Sequence, residues 1–334
     1  MLERVLIVGL GSIGSRHARI ARTLLPGAQI GVLRHRRCDD MPADLDHCFT
    51  SLDEAVQFRP QAAVIANPAT HHLEPALALG RAGVHLLVEK PIASARAGVQ
   101  ELIDICADNA GILMTAYNMR FLQSLQFFRE RLVGGEVGRV VSVRAEIGQY
   151  LPSWRPGTDY RQTVSARAAL GGGVLLELSH EIDYLRWLFG DIKWVSAVLG
   201  TQSNLEIDVE DTAHLTLGFA AKNDAKPLIA SLSMDFVRQD TTRICVAIGE
   251  TGTLRWNAIA GTVEVLRGGE TAWQTLFAQL SQRDESYIAE WKHFLDCIAQ
   301  KSPPMVSGQD GLAVLNVIQA ARLSSASKTV VAVE

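Results

Sequence analysis

Two short segments of this 334-residue chain carry side chains able to move a proton. The first is Glu89-Lys90-Pro91, directly after the apolar run Val84–Val88. Lysine is scarce here: there are seven among 32 basic residues, and Lys90 alone falls within the first 192 positions. A compact ammonium on a flexible stem suits proton donation, or hydrogen bonding to a substrate oxygen. The second segment reads Gly171-Gly-Gly173-Val-Leu-Leu-Glu177-Leu-Ser-His180-Glu-Ile-Asp183. Glu177, His180 and Asp183 recur every three residues, so on one continuous helix each adjacent pair can touch. A histidine beside a carboxylate is a natural general acid/base, because imidazole titrates near working pH, at ~6.5.

A third cluster would hold an anion. Gly9-Leu-Gly11-Ser12-Ile13-Gly14 follows an apolar run and opens a helical pattern. In that setting the first glycine permits a tight turn, the second lets a pyrophosphate reach the backbone, and the third lets helix pack on strand. The helix N-terminus adds unpaired N–H groups and a positive dipole end. An acid about twenty residues on would bind the ribose hydroxyls of NAD. Arg34 stands there instead, in Leu33-Arg34-His35-Arg36-Arg37, and no carboxylate comes before Asp39. A guanidinium pairs with a 2′-phosphate, so the reading places NADP ahead of NAD. A fourth segment, Gln149–Arg161, is rich in aromatic and hydrogen-bonding groups. Its Trp154 and Tyr160 offer faces for a sugar ring, and its Arg155 and Arg161 tilt the reading toward a substrate with an acidic group.

These groups need a scaffold that brings strand ends and helix starts together. Short apolar runs at Arg4–Val8, Gln29–Leu33, Ala62–Ala66, Val84–Val88 and Ile112–Thr115 alternate with helix-length stretches at Ile13–Leu25, Thr70–Ala82 and Ser94–Asn109. Buried parallel strands read as continuous apolar runs separated by crossover helices. Residues 1–120 are therefore expected to form an α/β, doubly wound parallel sheet of Rossmann type. After Asn118 strands follow in succession: Val140–Ile147, Asp211–Ala220, Ala230–Phe236, Arg243–Gly249, Gly252–Asn257 and Gly261–Leu266. One long helix is expected over Gly173–Phe189, and two more over Ser286–Ala299 and Gln309–Ser325. That texture implies an α+β domain over 121–334, built on an open, mainly antiparallel sheet. With few helices between 190 and 285 to cover both faces, the sheet is expected to pair in a homodimer or homotetramer.

Bulk composition narrows the classes of function. Apolar residues make up 48% and charged ones 20%, which excludes intrinsic disorder. The formal net charge is −4, with no basic stripe for nucleic acid and no basic amphipathic run for a membrane surface. No apolar run reaches the ~20 residues that span a bilayer. The five cysteines are scattered and form no CxxC pair. No metal site or disulfide framework is expected, and the reading is a protein of the reducing cytoplasm.

The chain resembles the Gfo/Idh/MocA family of nicotinamide-dependent oxidoreductases along its whole length. The likeness rests on Gly9–Gly14, Asn67-Pro68-Ala-Thr-His-His72, Glu89-Lys90-Pro91 and Tyr117-Asn118-Met-Arg120-Phe121. It continues through the segment from Gly171 to Trp187 and the closing helix from Gln309. The resemblance implies that Lys90 is the catalytic lysine and His180 its acid/base partner. It implies that Asn67, His72 and Glu89 line the cofactor, and that Asn118 lies near the nicotinamide. Two positions depart from the family pattern. Leu176 stands where an aspartate is common, leaving Glu177 as the carboxylate, and Leu122-Gln123 follows Phe121 where a proline is usual. The implied activity is hydride transfer between NAD(P) and a secondary alcohol or ketone of a sugar, sugar acid or cyclic polyol. The alternatives are a cofactor-binding regulator without turnover, or glycoside cleavage through transient oxidation.

Overall fold

A computed structural model describes residues 2–36, 40–221 and 226–334. Arg37 of the arginine-rich segment, Cys38 and Asp39 lie outside the described residues. The chain divides into two compact units, Met1–Tyr117 with Tyr287–Leu315, and Asn118–Ser286 with Asn316–Glu334.

The first unit is built on a six-stranded, fully parallel sheet. Its elements are β1 (Arg4–Val8), α1 (Ser12–Leu24), β2 (Gln29–Leu33), β3 (His47–Phe49), α2 (Leu52–Gln57), β4 (Ala62–Ile65), α3 (Leu73–Arg81), β5 (His85–Glu89), α4 (Val99–Asp108) and β6 (Leu113–Ala116). The strand order is β3-β2-β1-β4-β5-β6. Val5, Leu6, Ile7, Val64, Ile65, Leu86, Leu87 and Val88 have no exposed surface, as expected for strands covered on both faces. The order reverses at β1, between β2 and β4. In such sheets ligands bind outside the carboxyl ends of the strands at that reversal.

Two details depart from expectation. The three-residue strand β3 and the short α2 escaped the reading, being too short to show a period. The helix expected over 70–82 is a 3₁₀ turn, Ala69–His71, followed by α3. Pro75 sits in the first turn of α3, where a missing N–H costs nothing.

The single boundary expected near residue 120 is also incomplete, because Tyr287–Leu315 belongs with the first unit. That segment holds most of α8 (Glu285–Gln300) and the opening turns of α9 (Gly308–Ser327). Trp291 and Phe294 are fully buried and Cys297 nearly so. Thr115 bonds both ways: its N–H donates to Val306 O at 3.0 Å, and its Oγ1 donates to Ser307 O at 3.1 Å. A Cβ at Gly311 would stand 2.6 Å from Thr115 Oγ1 and 3.0 Å from Ile92, so a glycine permits this docking.

The second unit contains α5 (Gln123–Val133), β7 (Val140–Gly148), α6 (Val174–Glu177), α7 (His180–Phe189), β8 (Ile192–Gly200), β9 (Thr212–Phe219), β10 (Ile229–Asp235), β11 (Thr242–Gly249), β12 (Gly252–Asn257), β13 (Thr262–Arg267), β14 (Gln274–Ala278) and β15 (Val331–Ala332). Its nine strands run in the order β14-β13-β12-β11-β7-β10-β9-β8-β15. All neighbours are antiparallel except β7 and β10. In the central pair burial alternates: Ala230, Leu232 and Met234 of β10 are buried, as are Val143, Ala145 and Ile147 of β7. Onto this apolar face pack α5 and α7. Trp256 Nε1 donates to Ser124 Oγ at 3.1 Å, and Tyr184 meets the Trp256 ring edge-on at 5.4 Å. The opposite face is mostly polar, with Val198 and Ile229 exposed on it.

Here too the sequence reading is corrected. The helix expected over 173–189 is two helices, α6 and α7, broken at Leu178-Ser179. Leu178 leaves helical geometry at φ −100° and ψ 23°. Glu177 and His180 are therefore not successive turns of one helix. Strand β8 was also missed, because a register shift between Ile192 and Trp194 interrupts its alternation. Among the described residues no helix is long and apolar enough to cross a membrane.

One buried group in the first unit has a measurable effect. Glu290 on α8 is fully buried, and among the described residues neither of its oxygens has a hydrogen-bond partner. Burial, reinforced by the Glu89 charge, pushes its carboxyl well above the usual range. The unfolded chain then ionises this carboxyl at a lower pH than the native protein does. Its contribution to stability is complete below about pH 4.5 and is lost as the pH rises toward the folded value. Glu290→Gln removes this titration. Urea unfolding at pH 4 and pH 7.5 should show the variant losing about 1 kcal/mol less than the parent, or better, over that interval. Equal losses would show that Glu290 is ionised in the native state.

Candidate active site

The carboxyl ends of β1 and β4 come within van der Waals distance. Gly9 has φ +88°, and a Cβ on it would lie 2.8 Å from the backbone of Asn67. A Cβ on Gly14 would overlap the Gly9 carbonyl oxygen. Gly11 differs, since a Cβ there would meet nothing within 4 Å. Protein packing demands glycine at 9 and 14, whereas at 11 it leaves a bare backbone facing open space. Gly11 is the N-cap of α1 and makes no side-chain cap, and the first turn, with Ser12 and Ile13, holds no acid. Those N–H groups are available to an anion.

Beside them Asn67 donates its amide N–H to His71 O at 2.8 Å, while its Oδ1 is buried without a partner. A hydroxyl donor from a ligand would satisfy it. Arg34 lies half-buried just past β2, its N–H donating to Phe49 O at 3.1 Å. The loop, the orphaned acceptor and the guanidinium together fit a dinucleotide. Among the described residues no group of three or more His, Cys, Asp or Glu is placed to hold a metal ion.

Lys90 is half-buried at the end of β5, in the same unit as this loop. The two neighbours assigned to cofactor lining are engaged internally instead. Glu89 is 7% exposed, with Oε1 2.8 Å from His17 Nε2 and Oε2 accepting the Lys90 backbone N–H at 3.0 Å. Burial alone would raise its carboxyl. The His17 hydrogen bond and the Lys90 charge outweigh that and hold it below the usual carboxylate range. His72 is 1% exposed, with Nε2 2.8 Å from Asn67 O and Nδ1 3.3 Å from Ile92 O. Burial lowers its pKa; a neutral ring has one N–H to give, so it donates to only one of these two carbonyls at a time.

In the second unit the first turn of α7 is anchored from two sides. Asp183, read from the sequence as a substrate ligand, is fully buried. Its two oxygens accept from Arg120 Nε and Nη2 at 2.9 and 2.6 Å. Glu181, also fully buried, pairs with Arg243 of β11 at 2.9 Å. His180 stands half-buried at the start of that turn. Asn118, which begins the 3₁₀ turn carrying Arg120, donates its Nδ2 to Ser286 Oγ at 2.8 Å. Glu177 accepts from Ser165 Oγ at 2.7 Å.

Ser165 also lines a small cleft with Trp154, Arg155, Tyr160 and Thr163. The structure thus brings Trp154, Arg155 and Tyr160 of the expected substrate segment and the bond to Glu177 into one neighbourhood. Arg161 stands apart from that role, because its guanidinium is held by Asp159 at 2.8 Å and Glu206 at 3.2 Å. Tyr160 is tethered as well, its hydroxyl accepting the Glu206 N–H at 3.2 Å. Trp154 is fixed by Nε1 donating to Gln149 O and by its edge against Phe236.

The sequence reading missed His17, Ser165 and Arg243, and gave Arg120 no role of its own. Each acts through a partner 12 to 72 residues away. No local spacing marks such pairs. The Arg120 signal lay only in a cation inside an otherwise apolar run.

Comparison with known proteins agrees with this geometry. Residues 3–117 match the oxidoreductase family's NAD-binding Rossmann fold, and residues 129–333 match the same family's C-terminal alpha/beta domain. A myo-inositol 2-dehydrogenase of Thermotoga maritima is 27% identical over 99% of this chain and 98% of its own length. A scyllo-inositol 2-dehydrogenase (NADP(+)) of Bacillus subtilis is 23% identical over 99% and 96%. Among solved structures, a levoglucosan dehydrogenase in complex with NADH superposes with a TM-score of 0.86, at 20% identity over 99% of both chains. With both of its units matched in order, the chain belongs to the Gfo/Idh/MocA family of NAD(P)-dependent oxidoreductases.

Proposed function

We propose that this protein transfers a hydride between NAD(P) and a secondary alcohol or ketone on a sugar, sugar acid or cyclic polyol. The observation that carries the reading is Lys90 at the carboxyl end of β5, in the unit that also presents the bare Gly11 backbone at the start of α1. The named activities of the relatives, on inositols and on levoglucosan, support the substrate class. Bound nicotinamide supplies the hydride acceptor or donor.

The chain's own residues handle the proton. An alcohol cannot release its hydroxyl proton unaided at neutral pH, so Lys90 polarises that oxygen and His180 takes up or returns the proton. Ser165 orients Glu177 as the accompanying carboxylate. Trp154 and Tyr160 present faces to the ring, and the exposed Arg155 binds an acidic substituent. Asp183 and Arg161 are left out of substrate binding by their internal ion pairs.

The same reading covers cofactor choice, assembly and compartment. Arg34 in place of a ribose-binding acid favours NADP(H). The outer face of the nine-stranded sheet, mostly polar but with Val198 and Ile229 exposed on it, meets a second copy in a homodimer or homotetramer. A reducing cytoplasm suits Cys48, Cys106, Cys245 and Cys297, none of which forms a disulfide.

Two measurements test this reading. In fluorescence titrations NADP(H) should bind more tightly than NAD(H), and Arg34→Asp should reverse the order. Tighter NAD(H) binding by the parent would remove the argument. Lys90→Met keeps the apolar stem and removes the ammonium, so folding and cofactor binding should survive. Its kcat on a polyol panel with saturating cofactor should fall about 10²–10⁴-fold. Retention of more than about a tenth of the parent kcat, a loss short of that range, would put the active site elsewhere. His180→Asn should show a loss of the same kind.

A further inference from the structure

Behind Lys90 runs a chain of hydrogen bonds in which every proton can be placed. It starts on α8 at Trp291, whose Nε1 lies 2.8 Å from His17 Nδ1. An indole N–H only donates, so Nδ1 is the acceptor. The ring proton of a neutral His17 then resides on Nε2, 2.8 Å from Glu89 Oε1. Glu89 Oε2 in turn accepts the Lys90 backbone N–H at 3.0 Å. His17 and Trp291 are fully buried and Glu89 is 7% exposed, so water cannot replace a missing link. The other tautomer would set two N–H groups against each other at Trp291 and a lone pair against a carboxylate at Glu89. Each buried mismatch costs about 1–3 kcal/mol.

We propose that Trp291 and His17 are positioning residues for Lys90: the indole N–H selects the Nε2–H tautomer of His17, which holds the Glu89 carboxylate and through it the end of β5. This rests on the reading of Lys90 as the proton-handling residue. The arrangement is more than packing. An apolar pair would fill the same volume without burying a carboxylate, and the chain ends on the backbone of Lys90. It also gives the return of Tyr287–Leu315 to the first unit a purpose at the site.

The test is a double-mutant cycle on kcat combined with ¹⁵N NMR of the histidines. In the parent, His17 should give the signature of an Nε2–H ring with a hydrogen-bonded, unprotonated Nδ1. Trp291→Phe keeps the aromatic bulk and removes the donor. It should abolish that signature and lower kcat about tenfold or more, as sub-ångström misplacement of a reacting group does, with cofactor KM within about twofold of the parent. His17→Gln offers Glu89 an amide N–H that needs no tautomer selection. It lowers kcat by itself, but adding Trp291→Phe to it should cost no more than about a further twofold.

Additive losses, or a Trp291→Phe enzyme with parent kcat, would overturn the proposal. So would an Nδ1–H signature in the parent, which requires no variant to fold. If Lys90→Met retains activity while the parent shows the expected tautomer, the relay stands as structure and the reading of Lys90 falls.

Discussion

The first unit depends on one close approach, that of Gly14 to the carbonyl of Gly9. Any Cβ at Gly14 would overlap that oxygen, so α1 can leave β1 this tightly only with a hydrogen in its place. The tight departure fixes the whole rotation of α1. It points the first-turn N–H groups outward past Gly11. One turn beyond Gly14, on the same helical face, it drives His17 into the sheet against Glu89. Anion cradle and lysine support are thus two sides of one helix, set by one contact. A side chain at position 14 would disturb both.

The second unit solves a different problem, that of fixing a short helix on the face of an open sheet. Burial of Ile182, Tyr184 and Leu185 supplies adhesion, but hydrophobic contact is non-directional. Direction comes from two buried ion pairs, Asp183 with Arg120 and Glu181 with Arg243. Such pairs contribute little net stability against an apolar replacement. Removal of one partner costs about 3–5 kcal/mol, because a bare charge is left inside. The geometry around His180 is therefore specified by charges that tolerate no substitute on one side alone.

Much of the parallel sheet could be read along the chain. Strands such as Arg4–Val8 and Gln29–Leu33 are short apolar runs with the same bounds in sequence and structure, since burial on both faces leaves no room for polar residues. The glycine loop was equally plain, because its spacing is dictated by local backbone crowding. What stayed hidden was set by distant partners. Nothing near Asp183 announces Arg120, 63 positions earlier. His17 looks like any residue in an amphipathic helix. The even spacing of Glu177, His180 and Asp183 suggested one helical face, yet Glu210 accepts the N–H of Leu175 and Ser165 holds Glu177. Those tethers pull α6 away from the axis of α7. The return of Tyr287–Leu315 was concealed in the same way, since α8 carries an ordinary amphipathic pattern that does not say which sheet it covers.

That return has a consequence for how the molecule is made. His17 and Trp291 are 274 residues apart in sequence, although they belong to the same compact unit. Ribosomes add roughly 5–20 residues each second. The parallel sheet, complete by Ala116, therefore waits roughly 10–40 s at that rate for the helix that covers Ile92, Leu113 and Thr115. During that interval the nascent first unit presents an unfinished apolar flank, and the nine-stranded sheet is synthesised in the meantime. The order of translation thus leaves the N-terminal third with part of its core uncovered until the last fifty residues emerge, and closure of that core becomes one of the final events of folding.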